Sequence, residues 1–555
     1  MLFPPDQDLE RLSSMLNDVR ATGVMLSDTD QCLGVDSNLG GLPTGRSIES
    51  SNDGKVSGVH SLKPNGGQSM AQERIPPGLF IRKDSVNSNF IGLNSTGATI
   101  AICLRESLER AHSLSKFPSF DFLIDAGSHV DEAGVAHTVD LSVLELPPRL
   151  LAIRAIDVFF ANVNIVHPII NEDDFRGISE RLYTGHRTAS TPLELSIFYL
   201  ITAIGSLCEP ENSEMSEQSS RGLYQQAWLL FNDCIAAPSV ATVQVLLLHV
   251  IFHLQFGKGG IAWVICGLAV RTAQSMGLHR RSPRDFDLSE AQIRLRSQIW
   301  WVSFCLDAFV SMTQARPTAV SNSMYDTELT HPDLQHHTSP PLAAMASNLY
   351  TWRIKLAQIQ NSFCGILNRS ETIVARLDSL AELDTTLTSW RDEIQIDCRP
   401  EQEILVHNSV YPFIALLHLE YFNIMRAIHW AVMTGLPAKE YDANTHPSVR
   451  IRASEAICLG AARSFVKTLN NVADTTGNRK LVPISFQTDY YMAAIAVLYR
   501  GIFKQPQSLS AKTDLEYFRA GKIHLVRDIH EMNLSSTLRN LFDEMLASAE
   551  ALLYQ

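Results

Sequence analysis

From Pro147 to the C-terminus, apolar residues recur at i, i+3, i+4 spacing through almost every stretch. That period permits little but packed helices. Leu150, Leu151, Ile153, Ile156, Phe159, Phe160 and Val163 form the first stripe. Thr191-Pro192 opens the next helix over 193–207, with proline in its favoured first turn. Further helices are predicted over 216–235, 239–255, 260–276, 289–313, 341–367, 372–393, 403–434, 447–470, 485–504, 514–533 and 536–553. Alternating patterns bounded by hairpin turns are nearly absent, and no repeat of fixed period stands out. The expected fold class is all-α: a large multi-helix array with successive helices as antiparallel neighbours.

Three stretches are expected along the chain. Residues 1–86 are acidic at first and then rich in Gly, Ser, Asn and Pro. Such composition buries too little apolar surface to offset chain entropy, so a mostly disordered leader is expected, with one amphipathic helix at 8–19. Residues 87–145 read as a connecting segment with a short helix at 101–113, and 146–555 as the helical domain.

Charge narrows the function. The 46 Lys and Arg face 59 Asp and Glu, a net charge of -13, which opposes free-standing binding to phosphate backbones. No run of about 18 apolar residues suggests a membrane span. MLFPPDQDLE has neither the basic nor the apolar region of a secretory signal. The nine cysteines are scattered, without a C-x-x-C pair, and read as reduced, buried thiols.

Catalytic patterns are weak. His249 and His253 share a helical face, but Val250 stands where a zinc protease needs glutamate, and the setting LLLHVIFHL is apolar. They read as core histidines. Gly257-Lys258-Gly259-Gly260 lacks phosphate-loop spacing and reads as a tight turn between helices. Glu172-Asp173-Asp174 reads as a helix-capping cluster, because Gly177 ends any DD-x-x-D run. His331, His336 and His337 form a sparse loop cluster and read as no metal site. No catalytic residue, metal ligand or DNA-contacting residue is assigned, and no enzyme is expected.

The densest patterning lies in the middle. Gln244 is followed by Trp263, Gly267, Arg271, Gly277, Leu278 and His279, then by Arg296, Trp300, Trp301, Asp307, Arg316 and Pro317. Trp263, Cys266, Val270 and Ala273 share one helical face, and Arg296, Trp300, Ser303 and Asp307 share another. Gly267 is expected to admit a neighbouring helix, and Gly277 to form a left-handed cap with Leu278 beside it. Arg271 and Asp307 are expected to pair.

This series resembles the middle homology region of fungal zinc-cluster transcription factors. The carrying motifs are Gly267-x-Ala269-x-Arg271-x-Ala273, Gly277-Leu278-His279-Arg280, Arg296-x-x-x-Trp300-Trp301, Asp307 and Arg316-Pro317. Phe90-Ile91-Gly92-Leu93-Asn94-Ser95, Phe159-Phe160, His167-Pro168-Ile169-Ile170, Leu387-x-x-Trp390 and Tyr421-Phe422-Asn423 extend it over roughly 88–470. Ala315 departs from the glycine usual before Arg-Pro. The resemblance implies an all-helical regulatory domain in a nuclear transcription regulator of RNA polymerase II genes, sometimes under metabolite control. In the family DNA is read by a separate module holding two zinc ions on six cysteines. Cys32 is the sole cysteine before Cys103, so those ligands cannot be carried onto this sequence, and zinc is expected only with a module lying upstream.

The readings that follow are a transcription regulator separated from its cysteine module, a stand-alone co-regulator acting through a DNA-binding partner, and, remotely, an all-α enzyme. The expected partners are the transcription machinery or a DNA-binding protein, a small-molecule effector and a second copy of the chain, with no membrane. A ligand pocket is expected near Trp263, Trp300 and Trp301.

Overall fold

The computed structural model describes residues 78–82, 88–92, 141, 144–184, 190–208, 217–256, 258–282, 288–330, 339–369, 372–434, 449–476, 488–531 and 536–554. All lie within the compact unit Ile75–Gln555. The expected leader, the helices at 8–19 and 101–113, Cys32, Cys103 and the loop histidines fall outside the described residues, apart from one strand.

The helices are α1 (Arg149–Val158), α2 (Glu172–Tyr183), α3 (Pro192–Leu207), α4 (Glu217–Leu229), α5 (Phe231–Ile235), α6 (Val240–Gln255), α7 (Gly259–Ser275) and α8 (Glu290–Thr313). They continue with α9 (Pro340–Asn368), α10 (Ile373–Glu393), α11 (Tyr411–Thr434), α12 (Val449–Thr476), α13 (Thr488–Lys504), α14 (Ala511–Glu531) and α15 (Ser536–Tyr554). Sequential helices pack as neighbours, as in α6–α7, α7–α8, α11–α12 and α13–α14. One large core runs from Leu144 to Leu498. A smaller one, built by Ile495, Ile502, Leu515, Phe518, Phe542 and Ala549, serves the last three helices.

The all-α reading holds, with one addition. Gly78–Arg82 (β1) and Ser88–Gly92 (β2) pair antiparallel, with Phe80 opposite Phe90 and Gly78 opposite Gly92. β1 lies inside the stretch expected to be leader. β2 runs beside α7, which places the Phe90-Ile91-Gly92 motif against the array.

Side-chain caps explain several helix starts. Thr191 and Ser289 form capping boxes with Glu194 and Gln292. Asn171 caps α2 by accepting from the Asp174 N–H at 3.0 Å, so the acidic cluster is a first helical turn, where negative charge suits the helix dipole. Two boundaries differ from expectation. The helix expected from 403 begins at Tyr411, because Pro412 has no N–H to bond back to the preceding turn. The helix expected over 216–235 breaks after Leu229, and Leu230 caps the short α5.

α1 and α3 touch backbone to backbone. A Cβ built on Gly205 would lie 1.9 Å from the Ala155 carbonyl oxygen. After α1 the chain passes through a π-helical turn, Phe159–Val163, which buries both phenylalanines. The His-Pro-Ile-Ile loop beyond it is tied down twice. Asn164 Oδ1 accepts the N–H groups of Ile169 and Ile170 at 3.1 Å, and Gln244 Nε2 donates to the Ile169 carbonyl at 2.8 Å.

Candidate regulatory site

The central motif residues converge on a strap of chain, residues 314–330, laid over α7 and α8. Both helices end alike. At the end of α7, Gly277 adopts φ 69°; its N–H bonds the Gln274 carbonyl and the Leu278 N–H reaches back to Ala273, both at 3.0 Å. Leu278 is buried beside this cap, as the sequence predicted. At the end of α8, Ala315 adopts φ 50°, and the N–H groups of Ala315 and Arg316 make the same two bonds, to Met312 and Ser311 at 3.3 and 2.9 Å.

The strap then returns across the helices. Trp263 Nε1 donates to Ser311 Oγ and to the Pro317 carbonyl, both at 3.1 Å, and the Arg316 guanidinium lies over the indole at 5.0 Å. Asp307 Oδ2 accepts the Ala319 N–H at 2.8 Å. Asn361 Nδ2 donates to the Val320 carbonyl at 2.7 Å. Further on, the His279 carbonyl accepts the N–H groups of Asp326 and Thr327, and the Glu328 carbonyl accepts from Ser297 Oγ and Trp301 Nε1 at 2.6 and 3.3 Å. Arg296, buried, donates to the Met276 carbonyl at 3.0 Å and so secures the end of α7.

This geometry corrects three expectations. Arg271 does not pair with Asp307. Its guanidinium is exposed and donates to Gln274 Oε1 at 2.9 Å, and only its field reaches Asp307. A carboxyl as deep as Asp307 is served better by backbone N–H donors from the strap, which a helix-borne arginine pointing outward cannot replace. Gly267 admits no helix: a Cβ there would meet open space. The close approach is made instead at Gly259, where a Cβ would strike the Gln314 side chain at 2.3 Å. Trp300 and Trp301 are packed into the core rather than set on an open cleft. They are 0% and 4% exposed, wedged against Tyr325 with ring centroids 6.0 and 5.1 Å away. Trp263 is half-buried and belongs to the strap contact.

Burial sets the electrostatics. Desolvation pushes the Asp307 carboxyl up to about 7, against the lowering effect of the Ala319 and Val320 backbone donors, the Arg271 charge and Ser311. Desolvation pulls Arg296 down to about 10. Desolvation, aided by Arg280, pulls His279 down to about 4, against the opposing pull of Asp326. The imidazole is therefore neutral at pH 7, and its ring packs on Trp300 at 5.7 Å.

The other candidates are structural. His253 Nε2 and His249 Nδ1 both meet the Tyr224 hydroxyl, at 2.8 and 3.3 Å, inside a stack of Tyr224, Trp228, Phe231 and Phe252. Burial pulls His249 down to about 3 and His253 down to about 4. The described thiols carry no disulfide. Burial raises those of Cys234, Cys305, Cys364, Cys398 and Cys458 to about 11 or 12, which leaves them unreactive. Among the described residues no group of three or more His, Cys, Asp or Glu could hold a metal ion. No described helix is long and apolar enough to cross a membrane.

Sequence reading passed over one buried pair. Arg353 on α9 donates to the Val166 carbonyl and lies 3.4 Å from Glu420 on α11. A signal was present: Arg353 continues the core face Ala346, Tyr350, Ala357, Gln360 and Cys364, where a charge stands out. Which carboxylate would meet it has no local signature, because the partners are far apart in the chain.

These features define a helical array pinned by a strap. Residues 156–392 match the family described as "Fungal specific transcription factor domain". The chain is 24% identical to an ABC-transporter-regulating transcription factor of Aspergillus oryzae, over 67% of this chain and 43% of the relative. It is 23% identical to the sorbicillinoid biosynthetic cluster transcription factor 2 of Penicillium rubens, over 65% and 56%. It is 22% identical to a transcriptional regulatory protein of Schizosaccharomyces pombe, over 59% and 50%. The chain thus spans about half the length of the curated relatives it matches. The motifs that carry the resemblance lie in and around the matched residues.

Proposed function

We propose that this chain is a nuclear transcription regulator whose helical domain transmits a signal to the machinery at RNA polymerase II genes. The observation that carries this reading is the family match over 156–392, joined to the strap that accounts for the motif residues within it. DNA is contacted by a module or partner beyond the described residues. The array responds to a small-molecule effector by shifting between two packings, one of which exposes the surface that acts on transcription. The test is to fuse the chain to a heterologous DNA-binding domain and read a reporter in a fungal host. Activation or repression relative to the DNA-binding domain alone supports the reading, and an unchanged reporter from a well-expressed fusion overturns it.

One feature favours the second reading, a co-regulator recruited through a DNA-binding partner. Ile261, Val264 and Leu268 make a stripe on α7 that is 46%, 61% and 39% exposed. If that stripe binds the partner, Val264→Lys abolishes recruitment of the untethered chain to its promoter while leaving the tethered reporter unmoved.

A further inference from the structure

The outer face of α7 is apolar where a surface helix is ordinarily polar. Ile261, Val264 and Leu268 recur at i, i+3 and i+7 and share one side of the helix, all of them exposed. Gly267 stands beside Val264 on that side, and a Cβ there would meet open space. Glycine inside a helix costs about 1 kcal/mol relative to alanine, and among the described residues nothing packs against this one. It leaves a notch next to the stripe. The charges around the stripe have one sign. α7 contains no Asp or Glu. Its one charged residue, Arg271, is exposed, and so is Lys258 just before the first turn. The Arg316 guanidinium comes within 3.9 Å of the place a Cβ on Gly260 would take. An occupant of this face therefore needs large apolar side chains flanked by carboxylates.

The chain carries such a segment on a short tether. β2 runs beside α7 and ends at Gly92. The chain is fastened again at Leu144, which is buried, and at Glu145, whose carbonyl accepts from the Tyr199 hydroxyl at 3.1 Å. Residues 93–140 lie outside the described residues. From Phe117 to Asp140 their sequence has no Lys or Arg, against Asp121, Asp125, Asp131, Glu132 and Asp140. Within it, Ser119-Phe120-Asp121-Phe122-Leu123-Ile124-Asp125 interleaves large apolar side chains with carboxylates.

We propose that the chain's own segment 119–125 docks on the Ile261–Val264–Leu268 stripe of α7. Its apolar side chains cover the stripe, its backbone approaches at the Gly267 notch, and Asp121 and Asp125 meet Lys258, Arg271 and Arg316. A tether fixed at both ends holds the segment at a local concentration of order millimolar, so a weak contact suffices to keep the face occupied. Any protein that binds either the stripe or the acidic segment must first separate the two. The proposal does not rest on either functional reading; under the recruitment reading, the partner competes with this segment for α7.

The first experiment uses the purified full chain with Val264 replaced by the photocrosslinker p-benzoylphenylalanine. Crosslinks map by mass spectrometry to the peptide 117–127, with a yield unchanged on hundredfold dilution. Crosslinks confined to other segments, or joining two copies of the chain, overturn the proposal. The second uses the full chain with Phe120, Phe122, Leu123 and Ile124 all changed to Ser, which frees the face. A labelled synthetic peptide FPSFDFLIDAG then binds saturably, and a scrambled peptide does not. Binding is at least tenfold weaker when Val264→Glu or Gly267→Glu is added, and at least tenfold weaker to wild type, whose own segment competes. Both positions face solvent, so these variants melt with their parent, and Gly267→Glu decides the matter if Val264→Glu does not fold. Equal peptide binding to wild type and the four-serine variant, or binding indifferent to Gly267→Glu, overturns the docking.

Discussion

Gly277 and Ala315 occupy the same position at the ends of consecutive helices, both left-handed, at φ 69° and 50°. Only the first suits its conformation without penalty, since a Cβ in this region crowds the backbone. Ala315→Gly should therefore stabilise the protein by roughly 1 kcal/mol, read as a higher urea midpoint with unchanged slope. Gly277→Ala should lose a similar amount. If Ala315→Gly is destabilising, the cap geometry of α8 is not as described.

Trp301 fills the wedge between α8 and the strap and donates to Glu328. Trp301→Ala should cost about 3–5 kcal/mol in chemical denaturation. Trp301→Phe keeps most of the ring and should cost less than half of that. A Trp301→Ala variant that melts with wild type would show that the indole faces a pocket.

Asp307 gives stability a pH dependence of definite sign. Its folded carboxyl titrates near 7, against about 4 unfolded, so the native state holds the extra proton between those values. Stability from this residue is present in acid and is lost as pH rises toward 7. Asp307→Asn removes the slope, because an amide does not titrate, while its side-chain oxygen can still accept from Ala319. Its stability relative to wild type should improve by about 3 kcal/mol between pH 4 and pH 8. A pH-independent difference would place Asp307 in contact with water.

Glu420→Gln should cost about 3–5 kcal/mol by leaving Arg353 buried without its counter-charge. Arg353→Met combined with Glu420→Leu should recover most of that, because both charges leave together. Denaturant midpoints of Glu420→Leu, Arg353→Met and their combination measure the coupling, and additive losses would rule it out.

Much of this was legible in sequence because helices declare themselves locally. The Gly277-Leu278 cap, the capping boxes at Thr191 and Ser289 and the apolar stripes are all short-range signals. The strap was not legible as a structure, although its anchors were singled out. Trp263 and Pro317, or Trp301 and Glu328, are joined through backbone carbonyls, and any residue offers a carbonyl. The Arg271–Asp307 pairing failed for the same reason: sequence shows opposite charges on adjacent helices but not the backbone N–H groups that compete for the carboxylate. β1 and β2 were missed because five-residue strands are too short for alternation to stand out.

The contact between Gly205 and Ala155 constrains how such an array can move. Where two helices meet through side chains, rotamer changes let them slide or tilt. Where they meet through backbone, no soft layer lies between them, and the pair behaves as a single rigid strut. Gly501 offers the opposite case, because a Cβ there would meet only the flexible end of Leu459. Compliance is thereby unevenly distributed: the strut near the start of the array is stiff, and the contact between α12 and α13 at Gly501 has a side chain that can give.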